Sequence, residues 1–239
     1  MGPVVPLLPP IIMKSMRKKV LLSWSSGKDS AWSLHLLRQQ DEYQIAGLLT
    51  TINSAFDRVA MHGTRRAVLE MQAHAAGIPL VPAPLPWPCS NAEYENIMSG
   101  VCAKAVAQGV SIMAFGDLFL EDIRAYRERQ LQGTGLTPIF PLWRVPTRQL
   151  ALDMISGGLR AKIVCVDPKK LSADFAGREF DEQFLADLPE SVDPCGENGE
   201  FHTCVYAGPM FNQEIPLLLG ERVQRDGFCF CDVMPSAQT

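Results

Sequence analysis

The chain has no long uninterrupted apolar run, no excess of positive charge and no even complement of cysteines, and each absence removes a class of protein. Its apolar N-terminal stretch, Met1 to Met16, is broken by prolines and too short to cross a bilayer, so no membrane partner is expected. The positive charge of that stretch, Lys14, comes late and no small-residue cleavage site follows, which argues against a secretory signal. Residues 1–16 are read as a disordered tail or a mis-assigned start, with the fold beginning at residue 17. A formal net charge of -4 offers no general attraction to nucleic acid, and no direct nucleic-acid partner is expected. Seven cysteines, an odd number, argue against a disulfide scaffold and for a reducing, cytoplasmic setting. Internal repeats and low-complexity tracts are absent too.

What is present is an alternation. Strand-like runs at 18–23, 44–50, 78–83, 110–116, 136–140 and 160–166 are separated by helical stretches at 30–40, 63–76, 91–108, 119–131 and 147–156. Ile45-Ala46-Gly47-Leu48-Leu49 and Ile163-Val164-Cys165-Val166 are apolar on both faces, as strands of a covered parallel sheet are. Strands joined through helices of this length form right-handed βαβ units, and so an α/β fold with an open, mostly parallel sheet. After about residue 168 the pattern changes to one helix (174–188), a Gly/Asn/Asp-rich loop (191–200) and β-like segments at 201–206 and 221–233, the latter part of an antiparallel ribbon. The expected organisation is a nucleotide-binding α/β domain over 17–168, a small α+β C-terminal portion over 169–233 that completes the site, and a tail over 234–239.

The first strand breaks into Ser23-Trp24-Ser25-Ser26-Gly27-Lys28-Asp29-Ser30 and restarts as a helix. Such a turn points unpaired N–H groups and the positive helix end at an anion. It is not a Walker A loop, because Asp29 follows Gly27-Lys28 and position 22 is Leu, and a Gly-x-Gly-x-x-Gly fingerprint is lacking. Ser25, Ser26 and Ser30 offer hydroxyls, Gly27 allows close approach, Lys28 supplies a mobile charge, and Asp29 has the chemistry to hold Mg²⁺ against phosphates. A plain helix cap is the competing reading.

Three further runs carry chemistry. His62, Arg65 and Arg66 arrive at a strand edge, where an arginine can turn toward a phosphate or a carboxylate substrate, or simply face solvent. Gly116-Asp117 ends a strand, and Asp117, Glu121 and Arg124 fall on one helix face if the helix begins early enough; a salt-bridged surface helix would look similar. Gly196-Glu197-Asn198-Gly199-Glu200-Phe201-His202-Thr203 crowds acids, an amide, a His and a Thr into one loop, where Glu200 and His202 would share a face and bind metal, deprotonate an amine or hold substrate. Pro138 to Trp143 either walls a pocket or packs in the core.

The first loop resembles the pyrophosphate-binding Ser-Gly-Gly-x-Asp-Ser motif of the N-type ATP pyrophosphatase superfamily, with Ser26 where the first of the paired glycines is usual; a serine fits there if its φ is negative. With Met61-His62-Gly63, the 116–129 run and the 196–203 run, residues 17 to about 232 resemble the diphthine–ammonia ligase family. That resemblance implies a HUP-type, adenine-nucleotide-α-hydrolase-like sheet, with ATP and Mg²⁺ as cofactors. It implies ammonia and a carboxylate acceptor as partners: diphthine on elongation factor 2 in archaea and eukaryotes, another acceptor in bacteria. Carried over by position, Ser25, Ser26, Gly27, Lys28, Asp29, Ser30 and Gly116 would hold the nucleotide. Lys28, Asp117 and Glu200 would be catalytic, and Asp29 and Asp117 would bind metal. His62, Arg65, Glu121, Asp122, Arg124, Arg127, Glu197, Asn198 and Thr203 would face the substrate.

The implied reaction is a two-step amidation through an acyl-adenylate, releasing AMP and pyrophosphate. An ATP-dependent thiolation, drawing on any of Cys89, Cys102, Cys165, Cys195, Cys204, Cys229 and Cys231, and a non-catalytic nucleotide sensor remain alternatives, as does a homodimeric assembly.

Overall fold

The computed structural model describes residues 17–59 and 62–236. The expected tail over 1–16, the end of the tail over 234–239 and Met61 of the Met61-His62-Gly63 run lie outside the described residues.

The first sheet contains β1 (Lys18–Ser23), β2 (Tyr43–Asn53), β4 (Leu80–Leu85), β5 (Val110–Ala114) and β6 (Thr137–Ile139), all parallel in the order β4-β2-β1-β5-β6. A two-residue strand absent from the sequence reading, β3 (Arg58–Val59), adds antiparallel to the end of β2. Both faces are covered. Val20 and Leu22 turn toward Leu34 and Leu37 of α1 (Lys28–Arg38), and Leu21 turns toward Cys102 and Ala105 of α3 (Asn91–Ala107). This period-two alternation with apolar residues on both sides is what β1 needs to sit mid-sheet. Each fully buried leucine contributes roughly 1.5–3 kcal/mol.

Of the remaining helices, α2 (Arg66–Ala76) precedes β4, α4 (Glu121–Leu131) follows β5 and α5 (Thr147–Ser156) follows β6. The chain then departs from the expected alternation. The 160–166 run forms β7 (Arg160–Val166) but does not join the parallel sheet. It lies in a second, antiparallel sheet of order β8-β7-β10-β9, with β8 (Phe201–Ala207), β9 (Leu217–Arg225) and β10 (Phe228–Pro235). A run apolar on both faces suits the interior of either sheet, so its pattern does not choose between them.

The single helix expected over 174–188 is also broken. A 3-10 turn (Ala173–Phe175) ends before Gly177, whose φ is +85°. Residues 177–180 then bond along β7, with Gly177 N–H donating to Ile163 O and Phe180 N–H to Ala161 O. Only Glu182–Asp187 is helical (α6), capped by the Asp181 carboxylate accepting from Phe184 N–H. One continuous core joins the two sheets through Trp32, Ile163, Phe180, Phe184 and Phe201.

Candidate active site

The strand order reverses at β1, with β2 and β4 on one side and β5 and β6 on the other. Such a reversal leaves a crevice beyond the carboxyl ends of the strands. The loop after β1 and the Gly116-Asp117 turn after β5 open into one cavity there, of ≈ 580 Å³, and the 195–203 segment of the second sheet forms its far wall.

Ser26 takes φ +70°, the opposite of the negative angle expected for a serine. Its neighbours hold it there. Ser26 O accepts from Val205 N–H (3.0 Å) and from Gln72 Nε2 (3.1 Å), and its hydroxyl lies 2.8 Å from Thr64 Oγ1. Gln72 is fixed in turn by Trp24 Nε1 (3.0 Å). At Gly27 a Cβ would fall 2.9 Å from His62 Cε1 and 3.3 Å from Thr203 O, so this position has no room for a side chain. Ser25 and Ser30 hydroxyls lie 3.3 Å apart, and Lys28 N–H donates to Thr203 Oγ1 at 3.0 Å. Thr203 is therefore a brace on the loop as well as part of the cavity wall.

Lys28 is not the mobile charge expected. Its side chain is 2% exposed, and Nζ donates to Asp29 Oδ2 (2.9 Å) and to the Cys195 carbonyl, above the rings of Phe180 and Phe201. Burial alone would lower its pKa, but the groups around it, Asp29 foremost, together outweigh that and raise it, so the ammonium stays charged. With Oδ2 held by Lys28, Asp29 Oδ1 has no hydrogen-bond partner, and neither has Asp117 Oδ2, which sits 3.7 Å from Arg127 Nε. Burial pushes both carboxyls up, against the pull of Lys28 on Asp29 and of Arg127 on Asp117. A Cβ at Gly116 would lie 3.0 Å from Asp29 C and 3.1 Å from Ser30 N, so the close approach of the two acid-bearing turns depends on that glycine. Two neighbouring carboxylates, each with an unpartnered oxygen beside an anion loop, fit Mg²⁺, which takes one or two carboxylates plus substrate phosphates.

The 196–203 motif divides. Glu197 Oε1 accepts from Leu118 N–H (2.8 Å) and Phe119 N–H (3.5 Å), tying the second sheet to the Gly116-Asp117 turn, and burial pushes its carboxyl up to about 7. Glu200 is 2% exposed and turns back into its own loop, accepting from Asp193 N–H and Asn198 Nδ2 (both 3.1 Å); it does not line the cavity. The shared face expected for Glu200 and His202 is therefore not formed, because β8 begins only at Phe201. Asn198 is exposed and also lies off the cavity. His202 does line it, its ring tilted at 39° against His62 with centroids 4.6 Å apart. His62 Nδ1–H donates to Thr203 O (3.2 Å), and burial, with His202 and Lys28 nearby, holds its pKa well below the usual imidazole value. Burial lowers His202 to about 4, so both rings are neutral at pH 7.

Besides Asn198, four residues expected at the substrate lie elsewhere. Because α4 begins at Glu121, Asp117 is not on its face; Glu121 pairs with Arg144 at the surface and Asp122 is exposed. Arg124 pairs with Glu128 and stacks on Phe140 and Trp143, and only Arg127 of that helix's two predicted arginines reaches the cavity. Arg65 pairs with Asp232 at 2.6 Å, on a neighbouring groove. The sequence reading missed Tyr94, Met98 and Cys102 of α3 and Tyr126 and Gln130 of α4, which line the cavity. Their steps of four along each helix were the available signal.

An open parallel sheet of HUP type, joined to a small antiparallel C-terminal sheet across a cavity at the switch point, defines the class of protein. Residues 147–236 match the family model of the diphthamide synthase C-terminal domain, spanning α5 and all of the second sheet. That part of the chain is thus similar to the diphthamide synthase C-terminal domain, in keeping with the resemblance to the diphthine–ammonia ligase family. A comparison with curated proteins found no match. Among the described residues, no helix is long and apolar enough to cross a membrane, and no group of three or more His, Cys, Asp or Glu side chains gathers as a metal site.

Proposed function

We propose that the protein is an ATP-dependent, AMP-forming ligase that amidates a carboxylate with ammonia, the acceptor being diphthine on elongation factor 2. The observation that carries this reading is the convergence of the 25–30 loop, Gly116-Asp117 and Glu197 of the diphthamide synthase domain on one cavity. In this reading the ATP phosphates rest on the N-terminus of α1 with the Ser25 and Ser30 hydroxyls. Asp29 and Asp117 would hold Mg²⁺, which when bound neutralises phosphate charge and polarises the phosphoryl oxygen. Lys28 fixes Asp29 through one oxygen and so presents the other. The apolar side chains of α3 and β5, such as Met98 and Met113, suit the adenine ring.

The acceptor carboxylate attacks the α-phosphorus, pyrophosphate leaves, and ammonia then displaces AMP from the acyl-adenylate. Ammonium predominates at neutral pH, so a base must take one proton first. Glu197, facing the cavity with a carboxyl near neutrality, suits that role better than the enclosed Glu200. Thiolation through Cys195 is disfavoured, because burial pushes that thiol far up against the pull of Lys28 and keeps it protonated. The test is mass spectrometry of diphthine-bearing elongation factor 2 after incubation with ATP, Mg²⁺ and ¹⁵N-ammonium. The labelled amide should form with wild type and be lost with Asp117→Asn. An unmodified acceptor under conditions where ATP binds would overturn the reading.

A further inference from the structure

A second groove of ≈ 460 Å³ lies between the β9–β10 hairpin and Arg58 with residues 62–65, and it shares His62 with the first cavity. The His62 ring is held by Thr203, His202 and Gly27, so it forms a fixed sill between the two spaces. The groove's outer part contains Val223, Arg225 and Phe230. Arg225 also lies over the ring of Phe56 (5.6 Å) as well as that of Phe230 (5.1 Å). Phe56 in turn meets Trp87 edge-on, with centroids 6.0 Å apart. Phe56 is 50% exposed and Trp87 62% exposed, although each follows a strand of the parallel sheet at its carboxyl end, the edge where the first cavity opens.

Core packing does not account for an exposed run of contacts from Arg225 to Phe56 to Trp87; Trp and Arg dominate the energetic centres of protein interfaces, where Phe is also enriched. The charge of the groove is also distinct from that of the chain. Arg58 and Arg65 share Asp232, and with Arg225 and Glu221 the lining holds three arginines against two acids, whereas the chain carries a net -4.

We propose that this groove docks the protein that carries the acceptor carboxylate. Phe56, Trp87 and Arg225 grip an acidic surface of that protein while its modified side chain passes His62 into the catalytic cavity. The inference rests on the amidation reading for its substrate, but it concerns a separate surface. It explains why a site for one small carboxylate is flanked by a patch of the chemistry that binds macromolecules.

The experiment is calorimetric titration of diphthine-bearing elongation factor 2 into wild type and into a Trp87→Ser/Arg225→Glu variant, beside a titration with ATP. These side chains are exposed and lie outside the ATP cavity, so ATP affinity and thermal stability should stay unchanged. Acceptor affinity should fall about tenfold or more, as loss of interface anchors implies. Equal acceptor binding by wild type and variant, or no binding by wild type, overturns the inference. So does unchanged acceptor binding with a shift in sedimentation, which would assign the patch to a second copy of this chain. Binding that is lost in the variant while wild type forms no amide would leave the docking surface standing and bring down the amidation reading alone.

Discussion

Ser26 offers the sharpest energetic test of the loop. Its left-handed backbone (φ +70°) costs a serine about 1–2 kcal/mol, and the residue is fully buried beside Thr64, which is 1% exposed. Ser26→Ala keeps that backbone and removes the hydroxyl at 2.8 Å from Thr64 Oγ1, leaving a buried polar group short of a partner at a cost of about 1–3 kcal/mol. Ser26→Gly removes the same hydroxyl but relieves the left-handed strain, less about 0.5–1 kcal/mol for the freer unfolded chain. The glycine variant should therefore be more stable than the alanine variant by about 1 kcal/mol. Urea unfolding at equal m-values reads this as a higher midpoint for glycine. An alanine variant as stable as the glycine variant, or more so, would refute a positive φ at this position and with it the clamped loop.

Three more expectations follow from the cavity. Lys28→Met should cost toward the lower end of the roughly 3–5 kcal/mol typical of a broken buried ion pair, because the Asp29 side chain keeps 27% exposure; chemical denaturation measures it. If Glu197 is the base, kcat/KM should rise with pH about a midpoint near 7, and Glu197→Gln should remove that limb. Stability runs the other way. The folded carboxyl keeps its proton up to about 7 while the unfolded one releases it near 4.5, so stability attributable to Glu197 is lost as pH climbs through that window. Unfolding midpoints of wild type and Glu197→Gln should lie close together at low pH and separate toward high pH, wild type becoming the less stable.

The parallel half of the fold was legible because its signals are local. Val20-Leu21-Leu22 is apolar on both faces, and the helices after β1, β3, β4, β5 and β6 were expected close to where they stand. The second sheet was less so: β7 reads like another parallel strand, and only its pairing with β8 and β10 separates it from the first sheet. At the site, Asp29, Asp117, Arg127, Glu197 and Thr203 could be picked out by type and position, since each sits on or just beyond an element that ends at the crevice. Which way a side chain turns was not legible. Glu200 and Glu197 are three residues apart in one motif, yet one carboxylate bonds back to Asp193 and the other faces the cavity. Lys28 looked like a free cation because its partners, the Cys195 carbonyl and the Phe201 ring, are distant in sequence. The α3 wall was hidden for another reason: Tyr94, Met98 and Cys102 resemble ordinary core spacing until the cavity beside them is seen.

The central claim is that ATP is cut between its α and β phosphates in the cavity at the β1–β5 switch point. The most direct measurement separates the nucleotide products when the protein meets ATP, Mg²⁺, ammonium and diphthine-bearing elongation factor 2. The account predicts AMP and pyrophosphate in step with amide formed, both abolished by Asp117→Asn. ADP with inorganic phosphate, or AMP release untouched by loss of Asp117, would contradict it.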